Sequence, residues 1–229
     1  MQEFNMKIIA KIKSPYTDKF GIPRQSGMAG SLPAQIIFEP EYRNADALRG
    51  IDGFSHIWIL WQFSKAVRDT WSPTVRPPRL GGNTRIGVFA TRSPFRPNSI
   101  GLSSVKLDRI EHTKEFGTIL HVSGADMLDG TPIFDIKPYL AYTDSHPDAI
   151  GGFTASYEGY KLNVLADNEL LAKLPDNLRA GIIGMLEADP RPSYQDDKDR
   201  IYGMTVAGFE IKFTVDGETL TVKSIEKSM

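Results

Sequence analysis

Eight basic residues, Lys65, Arg68, Arg76, Arg79, Arg85, Arg92, Arg96 and Lys106, share a stretch whose single acid is Asp69. Six of the eight are arginines, whose planar fork grips phosphate and carboxylate through paired hydrogen bonds. The whole chain carries a formal net charge of -1, so this positive stretch stands apart from a more acidic remainder. Ordinary protein surfaces mix charges of both signs, and segregation of this kind points to an anionic ligand. Prolines stiffen the same region. SPTVRPPRLGGNTR (72–85) and RSPFRPNS (92–99) mount their arginines on backbone whose φ is fixed at each proline and restricted just before it. A preset backbone leaves less entropy to be lost when a ligand is held.

A second cluster, GADMLDGTPIFDIKPY (124–139), gathers Asp126, Asp129, Asp135, Lys137 and Tyr139. Asp129-Gly130 reads as a turn. Asp135 and Lys137, two apart on a strand, share a face as a surface ion pair. Asp126 ends a strand, where binding groups often sit, and functional and structural roles are both open for it. The chain has no cysteine, which excludes disulfides, thiolate nucleophiles and cysteine-based metal sites. His56, His112, His121 and His146 lack ligand spacing, so no metal is expected. There is no nucleophile elbow, no phosphate loop and no glycine fingerprint between strand and helix, and a Rossmann-type fold is not supported.

Short strands must position these groups. Met6–Lys13, QIIFE (35–39), HIWILWQF (56–63), RIGVFATR (85–92), LSSVKLDRI (102–110), TILHVSGA (118–125) and PIFDIKPYLA (132–141) alternate or run apolar, with no long helix between them. Such spacing favours a mainly β barrel or sandwich over βαβ units. The pattern changes near SHPDAIGG (145–152). DNELLAKL and DNLRAGIIGMLEADP read as helices, the second with Asp176 as N-cap and Pro190 as stop. FEIKFTVDGETLTVKSI then reads as a hairpin turning at Asp216-Gly217. The expected division is an all-β domain over 1–147 and a small α+β domain over 148–229. The opening MQEFNMKIIAKIKSP lacks a signal-peptide core, and IWILW is far too short to span a membrane. A soluble, cytoplasmic protein with no membrane partner is expected.

These residues alone support a β-barrel with a stiff arginine site for an anionic ligand, RNA among the candidates. Three strings go further: LRGIDGFSHIWILW (48–61), RPPRLGGNTRIGVFATRSPFRPNSIGLSSVKL (76–107) and ADMLDGTPIFDIKPYL (125–140). They resemble the TsaA-like (TrmO-type) family over residues 6–145, and EADPRPSY (187–194) is similar to that family's C-terminal motif. The resemblance implies a single-sheeted, seven-stranded β-barrel, not Rossmann, assembled as a homodimer. It implies S-adenosyl-L-methionine as cofactor and methylation of N6 of threonylcarbamoyladenosine beside the anticodon of threonine tRNAs.

By the same resemblance the cofactor pocket uses Gln25, Ser26, Gly27, Met28, Ser64, Lys65, Arg92, Leu102, Ser123, Gly124, Ala125 and Asp126. Ser26 and Ser64 stand where family members often have proline and histidine. On this footing Arg92 straddles cofactor and substrate, and Asp126 with Tyr139 orients N6. Arg76, Arg79, Arg96, Arg191 and Tyr194 would face the anticodon loop of tRNA, whose unstacked bases can enter a pocket. The rival readings are a non-catalytic RNA-binding or cofactor-sensing barrel and an enzyme on a smaller anionic substrate.

Overall fold

The computed structural model describes residues 3–28, 32–68, 70–191 and 197–228, with the backbone alone at Arg79. Period-two alternation builds the N-terminal half. β1 (Ala10–Lys13), β2 (Pro33–Phe38) and β3 (His56–Gln62) bury every second side chain, in β3 Ile57, Ile59 and Trp61. A two-residue ribbon, β4 (Thr74–Val75) with β5 (Ile86–Gly87), precedes β6 (Ile100–Thr113), β7 (Gly117–Ser123) and β8 (Pro132–Pro138). Six strands close into a barrel in the order β1-β2-β7-β6-β3-β8, and each neighbouring pair is antiparallel. The 14-residue β6 closes the ring by serving two partners. Its first half pairs with β3 and its second with β7, around a bulge between Leu107 and Arg109.

The ring therefore has six strands rather than the expected seven. Of the stretch 85–92, only Ile86–Gly87 is extended, and it pairs with β4 outside the barrel. Val88–Ala90 then closes into a 3-10 turn with Thr91 N–H on Val88 O at 3.2 Å, and of its apolar residues only Val88 is buried. Asp129 takes the turn role read from the sequence, accepting from Ser14 N–H at 2.9 Å, and Lys137 pairs with Asp135 at 2.9 Å.

After α1 (Ala141–Asp144), a second core forms around β9 (Asn163–Leu165), α2 (Asn168–Leu171), α3 (Asp176–Glu187), β10 (Tyr202–Val206), β11 (Phe209–Asp216) and β12 (Thr219–Lys227). Its sheet runs β10-β11-β12-β9, with β9 parallel to β12. Pro175, not Asp176, occupies the N-cap of α3, and Asp176 is its first helical residue. The hairpin turns one residue later than expected: Asp216 pairs with Thr219, which leaves Gly217 and Glu218 as the loop.

The link from β1 to β2 crosses between the two cores. Its Tyr16 and Leu32 are buried with Leu174, Ile182 and Met204, and Ala207 N–H donates to Pro15 O at 2.8 Å. Each buried aliphatic side chain of this kind contributes about 1.5–3 kcal/mol. The link is thereby anchored at both ends while its middle, Gln25 to Met28, passes back over the barrel.

Candidate functional site

Ser123 is the last residue of β7, paired to Pro33 on one side and Lys106 on the other. Beyond it Gly124 adopts φ +81, Ala125 enters the barrel core, and Asp126 meets β6. There Ser103 Oγ donates to Asp126 Oδ1 at 2.5 Å, and Trp61 Nε1 donates to Ser103 Oγ at 2.9 Å. The β1–β2 link closes over this segment. Gly27 N–H donates to Gly124 O at 2.9 Å, and the neighbouring backbone N–H of Ser26 favours the charged form of the Asp126 carboxyl. A Cβ on Gly124 would lie 3.3 Å from Gly27 N, so glycine serves both the left-handed φ and the close approach. Above the link, Arg92 Nη1 donates to Gln25 Oε1.

Burial holds the Asp126 carboxyl above its ordinary pKa, against the opposing pull of Ser103, its own N–H, Ser26 N–H and the Arg92 charge. Burial also raises the Tyr16 phenol, and the negative Asp126 adds to that effect. A carboxylate offers about four acceptor positions, and the Ser103 hydroxyl takes one of them. The cluster can hold a cationic centre against Asp126, hold an anion against Arg92, and accept a proton between them.

The structure thus joins Gln25, Ser26, Gly27, Gly124, Asp126 and Arg92 in one cradle. Met28 closes a turn onto Gln25 O at 3.4 Å. Ser64 and Lys65 form the exposed turn after β3, tied to the link by Lys19 Nζ on Lys65 O at 2.8 Å. Ser123 donates its hydroxyl proton to Asp108, which leaves the oxygen able only to accept from a ligand. Leu102 faces outward, opposite to its neighbour Ser103, as strand alternation requires.

Tyr139 is not brought to Asp126. It follows β8 on the outer face and packs on Trp58 (5.5 Å between ring centroids) and His56 (6.2 Å), whereas Asp126 bonds to the inward-facing Ser103. Arg191 is also no free RNA contact. It is 8% exposed, with Nε on Asp189 Oδ1 at 3.0 Å. Burial pulls its pKa down, and Asp189 and Tyr160 more than offset that. Arg76 is exposed, and Arg96 lies 5.9 Å from the centroid of Phe89 with Nη1 on Thr91 O at 3.2 Å. The Arg79 side chain and Tyr194 lie outside the described residues.

Sequence reasoning missed two groups. Ser103 and Trp61 belong to the buried relay, and the available signal was a serine at an inward position of an apolar strand. Trp71 and Phe89 form a stacked pair at 6.1 Å, 53% and 71% exposed, beside Arg96. Exposed aromatic pairs among arginines suit unpaired bases.

A closed antiparallel barrel with a backbone cradle at a strand end defines a β-barrel architecture, not a dinucleotide fold. Two family models match the chain: the tRNA-methyltransferase O N-terminal domain over residues 11–145 and the TrmO C-terminal domain over residues 161–228. The chain belongs to the tRNA-methyltransferase O (TrmO) family. It is 39% identical over 234 residues to the tRNA (adenine(37)-N6)-methyltransferase of Escherichia coli K12, with 99% of each chain covered. The enzyme of the same name from Eikenella corrodens is 47% identical over 173 residues, covering 75% of this chain and 97% of that one. The crystal structure of TrmO from Pseudomonas aeruginosa superposes with a TM-score of 0.77 at 29% identity, covering 98% of this chain and 100% of that one.

Proposed function

We propose that this chain transfers a methyl group from S-adenosyl-L-methionine to N6 of threonylcarbamoyladenosine at position 37 of threonine tRNAs, working as a cytoplasmic homodimer. As a TrmO family member it is an S-adenosylmethionine-dependent tRNA methyltransferase. The observation that carries the finer reading is the meeting of Gln25–Gly27 with Gly124–Asp126 beneath Arg92. The residues fit the cofactor: Asp126 suits a cationic donor, Arg92 a carboxylate, and the exposed Met28 and Leu102 offer apolar surface.

When bound, the cofactor supplies an electrophilic methyl on a sulfonium. The chain's task is to align the partners and exclude water. Asp126 faces a nucleophile whose carbamoyl substituent makes the N6 proton easier to remove, and its remaining acceptor capacity serves to take or orient that proton. Arg92 and Arg96 offer a fork for the threonyl carboxylate, which would select the modified base over plain adenosine. Arg76, Arg79 and Arg96 serve the loop phosphates, with Trp71 and Phe89 as a stacking surface for an unpaired base. Tyr139, on the opposite face, is left out of this chemistry within one subunit.

The test is mass spectrometry of nucleosides from threonine tRNA incubated with enzyme and methyl-labelled cofactor, with and without the threonylcarbamoyl group. Label on the modified tRNA alone is expected. Equal label on both would overturn the carboxylate reading, and label on neither would overturn methyl transfer to this base.

A further inference from the structure

Asp126 is held from below by a relay that begins inside the barrel. Trp61 and Ser103 both point inward, from β3 and β6, and Ser103 is 0% exposed. The indole N–H has Ser103 Oγ as acceptor, and the serine hydroxyl in turn donates a hydrogen bond to Asp126 Oδ1. The direction is forced, because indole nitrogen only donates and an ionised carboxylate only accepts. Trp61 is itself fixed. A Cβ at Gly101 would lie 2.3 Å from its Cε2, so the ring rests on bare backbone, and Phe63 packs on it at 4.2 Å. From above, Gly27 N–H on Gly124 O at 2.9 Å ties the link to the segment that carries the carboxylate, and the neighbouring Ser26 N–H favours its charged form.

A core serine that only satisfied its own hydroxyl would need no carboxylate. This one aims a charged acceptor at a backbone donor on a separate segment. We propose that Trp61 and Ser103 are positioning residues, and that with Asp126 they latch the 25–28 link onto the barrel so that the cofactor cradle is formed before ligand arrives. The latch rests on the cofactor assignment above only for what the cradle holds. The anchoring itself concerns this chain alone. Preorganising the link lowers the ordering cost of binding. The latch therefore acts on cofactor affinity, while tRNA affinity stays with the arginine rim.

Ser103→Ala deletes the donor to Asp126, Trp61→Phe keeps an aromatic side chain but deletes the N–H together with part of the indole, and Ser103→Thr restores the hydroxyl. Amide hydrogen exchange is measured on each free protein, with cofactor affinity and tRNA affinity measured separately. In Ser103→Ala, exchange at Ser26 and Gly27 should accelerate about 10-fold while the Leu120 amide in β7 stays protected. The cofactor Kd should rise by about the same factor, as expected for losing one charge-assisted hydrogen bond. Trp61→Phe should show the same pattern more weakly, tRNA affinity should hold, and Ser103→Thr should recover most of the loss. Unchanged exchange at Ser26 and Gly27, or equal loss of protection throughout the barrel, would sink the latch. Should Ser103→Ala not fold, Trp61→Phe decides by the same readout. A wild-type protein that methylates no tRNA overturns the proposed function, yet the exchange measurement still tests the latch.

Discussion

The indole of Trp61 lies across Gly101, leaving 2.3 Å where a β-carbon at 101 would meet Cε2. Gly101 faces Trp61 across the β3–β6 ladder, so the two cannot separate without breaking strand pairing. Gly101→Ala should therefore overpack the core and destabilise the protein by about 1–3 kcal/mol. Denaturant unfolding gives the magnitude, and tryptophan fluorescence of the folded variant should change as the ring is displaced. A variant as stable as wild type with an unaltered spectrum would mean that the ring rests elsewhere.

Asp126 gives a pH signature. Burial raises its folded pKa, with Ser103, Ser26 N–H and Arg92 opposing and Tyr16 also facing it. A carboxyl raised on folding favours the native state fully below its unfolded value, about 3.9, and loses that contribution as pH rises through the folded pKa. Asp126→Asn removes the buried charge but keeps an oxygen for Ser103 and Ser26. Its melting temperature should match or exceed that of wild type at neutral pH, and the gap should shrink as pH falls toward 4. Methyl transfer should be lost across the range. Wild type gaining on the variant as pH rises would reverse the sign and remove the argument.

Strand periodicity was readable wherever one face is buried: Ile57, Ile59 and Trp61 announce β3 directly. RIGVFATR looked equally strand-like. Its alternation could not show that residues 88–90 curl into a turn, because nothing local reports the absence of a barrel neighbour. Asp126 was readable as a strand-end carboxylate, whereas its donors, Ser103 and Ser26, come from segments 23 and 100 residues away. Tyr139 was misgrouped because sequence proximity to Asp126 hides the sheet between them. Arg191 looked like a rim arginine, and only the packing of the second core reveals that Asp189 and Tyr160 already claim it.

The arginine rim and the exposed aromatic pair should separate RNA binding from cofactor binding. Arg96→Ala should weaken tRNA and lower the slope of log affinity against log salt by about one, as for one lost phosphate contact. Trp71→Ala should weaken tRNA by about 1–3 kcal/mol with little change in that slope, since stacking releases no counterions. Filter binding across a salt series checks both, with cofactor affinity as a control that should not move. If Trp71→Ala instead leaves tRNA binding intact and shifts the protein's oligomeric state, the pair is a subunit contact.

Arg191 makes the opposite prediction to the one its sequence context suggests. Its guanidinium is sequestered against Asp189, a residue held at φ +53, and its carbonyl accepts from Arg24 Nη2 at 2.9 Å. Arg191→Ala leaves the mostly buried Asp189 carboxylate without its partner, and breaking such a pair costs about 3 kcal/mol. The variant should melt earlier, yet bind tRNA with wild-type affinity at temperatures where it remains folded. Removing both groups, Arg191→Ala with Asp189→Ala, should recover part of the loss because no charge is then stranded. A folded Arg191→Ala protein with wild-type stability and tenfold weaker tRNA binding would return the residue to the RNA interface.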